Sequence, residues 1–481
     1  MMKLKCRIAL LTKGTCMTEN APPQKTSLLI NRNYAFLFTG QAISLIGDFV
    51  FDTTLVLWIA TIIAKGEPWN PLAVSGVLVA ATLPILLIGP VAGVFVDRWN
   101  KQRVMLRMDI FRAILIALLV TTVPQPFVGN GHQPLLTVFV PSLANAQGQI
   151  PIFVHLGMLY VIVFLASACS QFFSPARLAL IGDVVDQEHR AQATGLGQAT
   201  QGIAGIIGPP LAAPLLFAFG VQWALLINAL TFVVSFLAIR AVRAPQAASS
   251  LTSGQKASIG GEMLVGIRYF FSNRVLRTIL IAAIVLVLGS GCINSLGVFF
   301  VLQNLHADQK LFGIVDSVVG IGIIGGSILA SVFAQRIGLI RSVWLSLFGA
   351  GIVLTILTRM TNFTIALPFF LLIGLAEAVL NTAIGPLVLG STPREMVGRV
   401  VSVLNPLISA AQLLSLGLAG YLASTLLRNF HQEIFGLTFG TYDTIFLASG
   451  VLAIFAGIYT WLALRGVTPA TPSTPQAATG E

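Results

Sequence analysis

The sequence predicts an all-α membrane protein, with twelve transmembrane helices arranged as two six-helix halves. Three observations carry this. Only 9% of the 481 residues are charged and the mean hydropathy is +0.88, whereas soluble domains carry roughly a quarter charged residues. Apolar runs recur along the chain, each near the ~20 residues that a helix needs to cross the hydrocarbon layer. Lys and Arg are concentrated in alternate gaps between the runs.

The runs fall at about 34–63, 72–96, 104–123, 155–174, 194–219, 223–242, 276–302, 311–334, 342–359, 363–389, 400–426 and 443–464. Lipid offers no partner for free backbone groups, so each run must be a helix or part of a closed barrel. Barrel strands are about ten residues long and alternate apolar with polar. These runs are longer and do not alternate, so they read as helices.

With the N-terminus inside, the even-numbered gaps are basic, and the odd ones hold only Lys65, Lys310, Arg359 and Arg428. A miscounted helix would scramble this alternation. The expected placement is a multi-pass protein of a cell (plasma or bacterial inner) membrane, with both termini cytoplasmic. The net charge of +11 lies in these short gaps rather than in a basic domain, so no nucleic-acid partner is expected. The lipid bilayer is the partner these charges face, and a monomer is expected.

The chain divides into a cytoplasmic N-terminal tail (1–30), a first bundle (31–242), a cytoplasmic linker with an amphipathic helix (243–274), a second bundle (275–465) and a disordered C-terminal tail (466–481). The linker stretch 243–262 is rich in Ala, Ser, Gly and Gln. Gly261 to Asn273 reads either as a short helix on the membrane surface or as an extension of the seventh helix. The gap 124–154 is long, rich in Pro and Gly, and nearly uncharged apart from His132, which argues against a helix through the membrane. It either lies over the outer mouth or is a disordered insertion. In the N-terminal tail the run Ile8 to Leu11 is too short for a signal segment, and translation starts at either Met1 or Met17.

Several chemistries find no support. Cys6, Cys16, Cys169 and Cys292 form no CxxC or Cys/His cluster, so neither a zinc site nor a disulfide framework is expected. No GxxxxGK[ST] phosphate loop occurs, and no HExxH or GxSxG element. The expectation is therefore a protein that is not an enzyme and has no cofactor. If it pumps, a gradient drives it.

Between the second and third helices stands Gly93-Val-Phe-Val-Asp97-Arg98-Trp-Asn100-Lys101-Gln-Arg103. This resembles the GxxxDRxGR[KR] signature of the major facilitator superfamily, with Asn100 in place of the second glycine. Asn tolerates a left-handed backbone nearly as well as Gly, so the turn is expected to survive. Asn31-Arg-Asn-Tyr-Ala-Phe-Leu-Phe with Gly40-Gln41 and Gly47-Asp48 is similar to the first helix of the superfamily's macrolide-efflux and enterobactin-exporter branch. Ser174-Pro-Ala-Arg177, Gly266-Ile-Arg-Tyr-Phe and Gly398-Arg399 share that likeness. In the second half the signature is degraded to Gly326…Gln335-Arg336-Ile-Gly338 and lacks the Asp. Gly205-Ile-Ile-Gly208-Pro209-Pro210 loosely resembles the antiporter motif, and close helix packing explains it as well.

The resemblance runs from about residue 31 to 465. It implies the major facilitator fold: two pseudo-symmetric bundles rocking around a central cavity lined by helices 1, 4, 7 and 10. It also implies drug-, macrolide- or siderophore-like substrates exported against protons. Gly93, Asp97, Arg98, Lys101 and Arg103 would form a cytoplasmic gate that holds the halves together in the outward-facing state, through charge-assisted bonds and a helix dipole.

Charges inside the apolar runs are costly unless they are paired or face water. Gln41, Ser44, Asp48 and Asp52 form one polar stripe on the first helix. Asp48 lies 14 residues past Tyr34, about 21 Å in and near mid-membrane. On the tenth helix Gly374, Glu377, Asn381 and Gly385 share a face. A carboxylate withdrawn from water can take up and release a proton as its surroundings change. Asp48, Glu377 and Asp52 are therefore candidates for proton coupling or cation binding; the alternative is pairing with Arg112 or bonding to neighbouring helices. Asp109 and Arg112, three residues apart, are expected to pair, and Asp316 reads as a solvated rim residue. Ser290 and Asn294 on the seventh helix, with Ser167 and Gln171 on the fourth, either meet substrate or join helices.

The expected function is secondary transport by alternating access, most simply proton-coupled export of amphipathic small molecules. Uptake or lipid-related movement by the same fold is the first alternative. A non-transporting sensor or assembly protein is the second, and no soluble signalling domain supports it. A membrane-embedded enzyme finds no catalytic constellation.

Overall fold

The computed structural model describes residues 30–123, 134–143, 150–243, 267–434 and 437–466. Twelve long helices dominate it. The first half holds α1 (Arg32–Trp58), α2 (Asn70–Leu87), α3 (Lys101–Thr121), α4 (Ile152–Val184), α5 (Arg190–Pro214) and α6 (Val221–Ala241). The second holds α7 (Arg274–Phe299), α8 (Phe312–Arg336), α9 (Leu339–Leu357), α10 (Phe363–Gly390), α11 (Val397–Tyr421) and α12 (Thr441–Ala463). Eleven are long and apolar enough to cross a membrane. The other, α3, is also long enough but carries Arg107, Asp109 and Arg112 along its length. Bulky apolar side chains such as Leu87, Ile114, Leu178, Leu230 and Phe455 point outward, over far more surface than a water-soluble monomer leaves uncovered.

Local sequence sets the helix ends. The Asn31 side-chain oxygen accepts the Tyr34 N–H at 2.8 Å, and its amide donates to the Val184 carbonyl at 2.8 Å. This caps α1 and ties it to the end of α4. The second run, expected as one helix, breaks at Ile88 and resumes as Gly89–Arg98. Pro90 lacks the N–H that would continue the ladder. Asn100 is not left-handed, as the signature had suggested. It sits extended at φ −68, ψ 111, and its side-chain oxygen accepts the Arg103 N–H at 3.0 Å. An N-cap thus replaces a glycine turn. Gly338, at the matching place before α9, does adopt positive φ (85°), which favours glycine.

The two halves repeat each other in irregularity as well as in helix order. A π turn extends α1 (Ile59–Ile63), α5 (Leu215–Phe219), α7 (Phe300–Asn304) and α11 (Leu422–Leu426). These are the first and fifth helices of each half.

The halves join at one end only. Arg32 and Ala463 mark the near end of the bundle, and the π turns mark the far end. At the far end one continuous core draws on both halves, including Leu55, Trp58 and Val77 from the first and Leu296, Phe300 and Phe312 from the second. At the near end the core splits into separate clusters. One is built on α7, α9, α10 and α11, and two belong to the first half.

Across the halves α2 packs on α11 and α5 on α8. Ser75 of α2 and Ser295 of α7 share a short hydrogen bond, and the Leu72 N–H donates to Ser424 Oγ at 3.0 Å. Gly420 makes this approach possible: a Cβ there would overlap the Ser75 side chain and lie 3.0 Å from the Pro71 carbonyl. The structure is closed at the far end and open at the near end.

Two connecting segments were left open by the sequence. Of 124–154, residues 134–143 hold a one-turn helix, Leu135–Phe139, followed by Pro141–Leu143 in a 3-10 turn, and α4 already begins at Ile152; 124–133 and 144–149 lie outside the described residues. Residues 267–272 are helical and stop at Asn273, whose side chain caps α7, so they form a separate piece rather than an extension. The start of that segment and both tails lie outside the described residues, as do Met1, Met17, Cys6 and Cys16. An antiparallel pair of strands, β1 (Gln432–Ile434) and β2 (Leu437–Phe439), was not expected; it lies between α11 and α12 at the far end.

Candidate functional site

The space between the halves is a cavity of about 1100 Å³, at the upper end of the usual size for small-molecule sites. Its walls are mostly apolar, from Phe49 and Val77 in the first half to Ile293, Phe312 and Phe370 in the second. Asp52 on α1, Asp316 on α8 and Glu377 on α10 line it. Asp52 is exposed to this space, while Asp316 and Glu377 are half-buried. Among the described residues, no Lys, Arg or His lines it.

Asp316 departs from its expected place. It sits one turn into α8, but faces the cavity rather than a solvated rim, and shares that lining with Thr53 of the opposite half. The next residue, Ser317, donates to the Ile206 carbonyl of α5 at 2.6 Å.

The polar stripe on α1 divides. Gln41, Ser44 and Asp48 line a separate pocket of about 130 Å³ inside the first half, together with Arg112, Ser170, Ser174 and Arg177. Asp48 is thus placed away from the central cavity, one helical turn from Asp52. Four residues advance about 40° around a helix and 6 Å along it, enough to carry the face of α1 from the bundle interior to the gap between halves.

Behind Asp48 lies a polar network. Arg112 pairs with Asp109, and both are buried, at 5% and 0% exposure. Ser235 Oγ donates to Asp109 Oδ2 at 2.7 Å, Gln41 donates to Ser235 at 3.3 Å, and Arg177 donates to Gln41 at 3.5 Å. The Arg112 guanidinium also stacks 4.5 Å from the Phe173 ring centre and 4.3 Å from that of Phe232. Asp48 lies within electrostatic reach of both Arg112 and Asp109.

The remaining candidates separate in the same way. Asn294 and Ser290 line the cavity. Asn381, one turn beyond Glu377, is exposed and outside the lining. Ser167 donates to the Ala81 carbonyl at 2.6 Å and joins α4 to α2. The sequence reading missed Thr53, Gln198, Gln201, Gln412 and Ser449 in the lining. Gln198 and Gln201, three apart in an apolar helix, carried the same polar-stripe signal as α1.

At the near end Lys101 pairs with Asp183 at 3.1 Å, both about a quarter exposed. Gln102, where the signature has a basic residue, donates to the Ile239 and Val242 carbonyls at 2.9 and 2.8 Å and caps α6. Gly93 is half-buried, and Asp97, Arg98 and Arg103 are exposed. Asp97 makes no salt bridge among the described residues.

Two helical halves around a lipid-immersed, acid-lined cavity closed at one end define a membrane transporter. The chain belongs to the major facilitator superfamily, whose family model matches residues 37–302 and 279–481. It is not an enzyme family. An uncharacterized MFS-type transporter, YkuC of Bacillus subtilis (strain 168), is 23% identical over 442 residues, covering 90% of this chain and 93% of the relative. Macrolide efflux protein A of Streptococcus pyogenes is 22% identical over 389 residues, covering 80% and 88%. The inward-facing structure of a bacterial homologue of the iron transporter ferroportin shares the fold, with a TM-score of 0.66 at 15% identity, over 89% of this chain and 98% of that one.

Proposed function

We propose that this transporter exports amphipathic small molecules in exchange for protons, by alternating access, from a cell whose cytoplasm faces the near end. The observation that carries this reading is the arrangement of Asp52, Asp316 and Glu377. They stand on helices of both halves around one mostly apolar cavity that is open at a single end. A carboxylate in such a chamber can bind a proton or a cation, and neutralising it changes what holds the halves together.

Export is supported by the likeness to macrolide efflux protein A and, over less of the chain, to the putative bacilysin exporter BacE of Bacillus subtilis (strain 168). The basic near-end gaps support a cytoplasmic near end. Asp97, exposed and without a salt bridge among the described residues, fits a cytoplasmic gate that is unlatched while this end stands open, to be re-formed when the halves rock. The Asp48–Arg112 pocket is assigned to proton coupling within the first half.

The test is a susceptibility panel on a drug-sensitive host expressing the chain, with and without an uncoupler. Resistance to at least one compound, lost on uncoupling, is expected. Resistance that survives uncoupling contradicts proton-driven export.

A further inference from the structure

Taking the central cavity as the transport site, as proposed above, we infer that it selects organic cations with apolar bulk and turns away anions of the same shape. The inference starts from a sign imbalance. Three carboxylates face the cavity and, among the described residues, no basic side chain does. The buried arginines of the first half are spent elsewhere. Arg112 is tied to Asp109 between two phenyl rings, Arg177 reaches Gln41, and both line the separate pocket.

In water such an imbalance would be screened, but inside a low-dielectric wall it is not. An anion entering the cavity meets like charge with no basic partner. A cation meets carboxylates whose attraction offsets its own loss of hydration. Phe49, half-buried in the cavity wall, adds aromatic surface that attracts cations. The mostly apolar lining sets the other requirement, since a small hydrated ion gains nothing from it and a bulky one does. The class is therefore a lipophilic ammonium or phosphonium-like cation. Acidic chelators fall outside it. The same carboxylates bind either the cation or protons, so each displaces the other.

Tetraphenylphosphonium and tetraphenylborate test this, because they share shape and differ in sign. Binding of each is measured to the purified full chain in nanodiscs, with lipid-only discs subtracted and no gradient present. The cation is expected to bind about tenfold or more tightly than the anion, and the triple variant Asp52→Asn/Asp316→Asn/Glu377→Gln is expected to lose that preference. If the triple variant is not monodisperse in gel filtration, the three single variants are compared, and at least one must weaken the preference.

Equal or tighter binding of the borate overturns the inference. So does failure of the folded protein to bind either probe, or a preference unchanged in the variants. Because no gradient is applied, resistance that ignores an uncoupler would sink proton exchange and leave the selectivity standing. Anion binding would do the reverse.

Discussion

Ser317 of the second half donates a hydrogen bond to the Ile206 carbonyl of the first at 2.6 Å, beside Asp316, which lines the cavity. A cavity acid and the seam that closes the far end thus occupy consecutive positions on α8. Charge in the chamber and contact between the halves are within one residue of each other.

The seam depends on small residues. Gly420 against Ser75, and Gly313 against the Pro209 backbone, leave no room for a side chain. Gly420→Leu is expected to hold the far end open and to cut transport about tenfold or more at normal expression, since a few kcal/mol of overpacking is enough to shift a two-state balance. Thiol labelling of Ser424→Cys, buried at this seam, in a background lacking Cys6, Cys16, Cys169 and Cys292, should speed up when Gly420→Leu is added. Unchanged labelling would show that this contact does not set the closure.

The two pockets make separable predictions. Asp48→Asn should abolish pH-driven transport and leave binding in the central cavity nearly unchanged, because Asp48 lies outside that lining. Asp52→Asn should weaken both. The comparison is made by binding and by vesicle transport on the same preparations. Equal losses of binding in the two variants would merge the pockets into one site.

The Asp109–Arg112 pair is fully enclosed, so removing one partner strands the other. Arg112→Ala should destabilise the protein by about 3–5 kcal/mol, read as a lower melting midpoint in detergent. The double variant Asp109→Asn/Arg112→Leu should recover part of the loss, since no charge is then left unpaired. A double variant that is additive in its harm would assign the arginine a role beyond pairing.

Asp97 is expected to matter for turnover rather than for folding. Asp97→Asn should slow transport while leaving expression, melting and cavity binding as they were. Lys101→Ala, which breaks a partly exposed pair, should cost at most about 1 kcal/mol of stability. A transport rate unaffected by Asp97→Asn would reduce the signature to a topology signal.

Much of this architecture was legible in the chain. Helix number and course follow from apolar run length, because lipid leaves the backbone few options. Pro90 carried the break at Ile88 in plain view. What the sequence obscured were angles and neighbours. Asp48 and Asp52 share a stripe by spacing, yet the ~40° drift per four residues sends them to different pockets. Asp316 looked like a rim residue because depth along α8 says nothing about the half that faces it. Asn100 shows how a signature can keep its place while changing its physics, with an N-cap standing where the signature has a flexible glycine.

The central claim is that cavity carboxylates exchange protons for substrate. Everted membrane vesicles, acidified inside by respiration and followed with a pH-sensitive dye, test it most directly. Adding the compound to which the chain confers resistance should collapse the gradient with the unaltered protein, and not with Asp316→Asn/Glu377→Gln at equal expression. A gradient untouched by the compound, or collapsed equally by both proteins, would contradict the account.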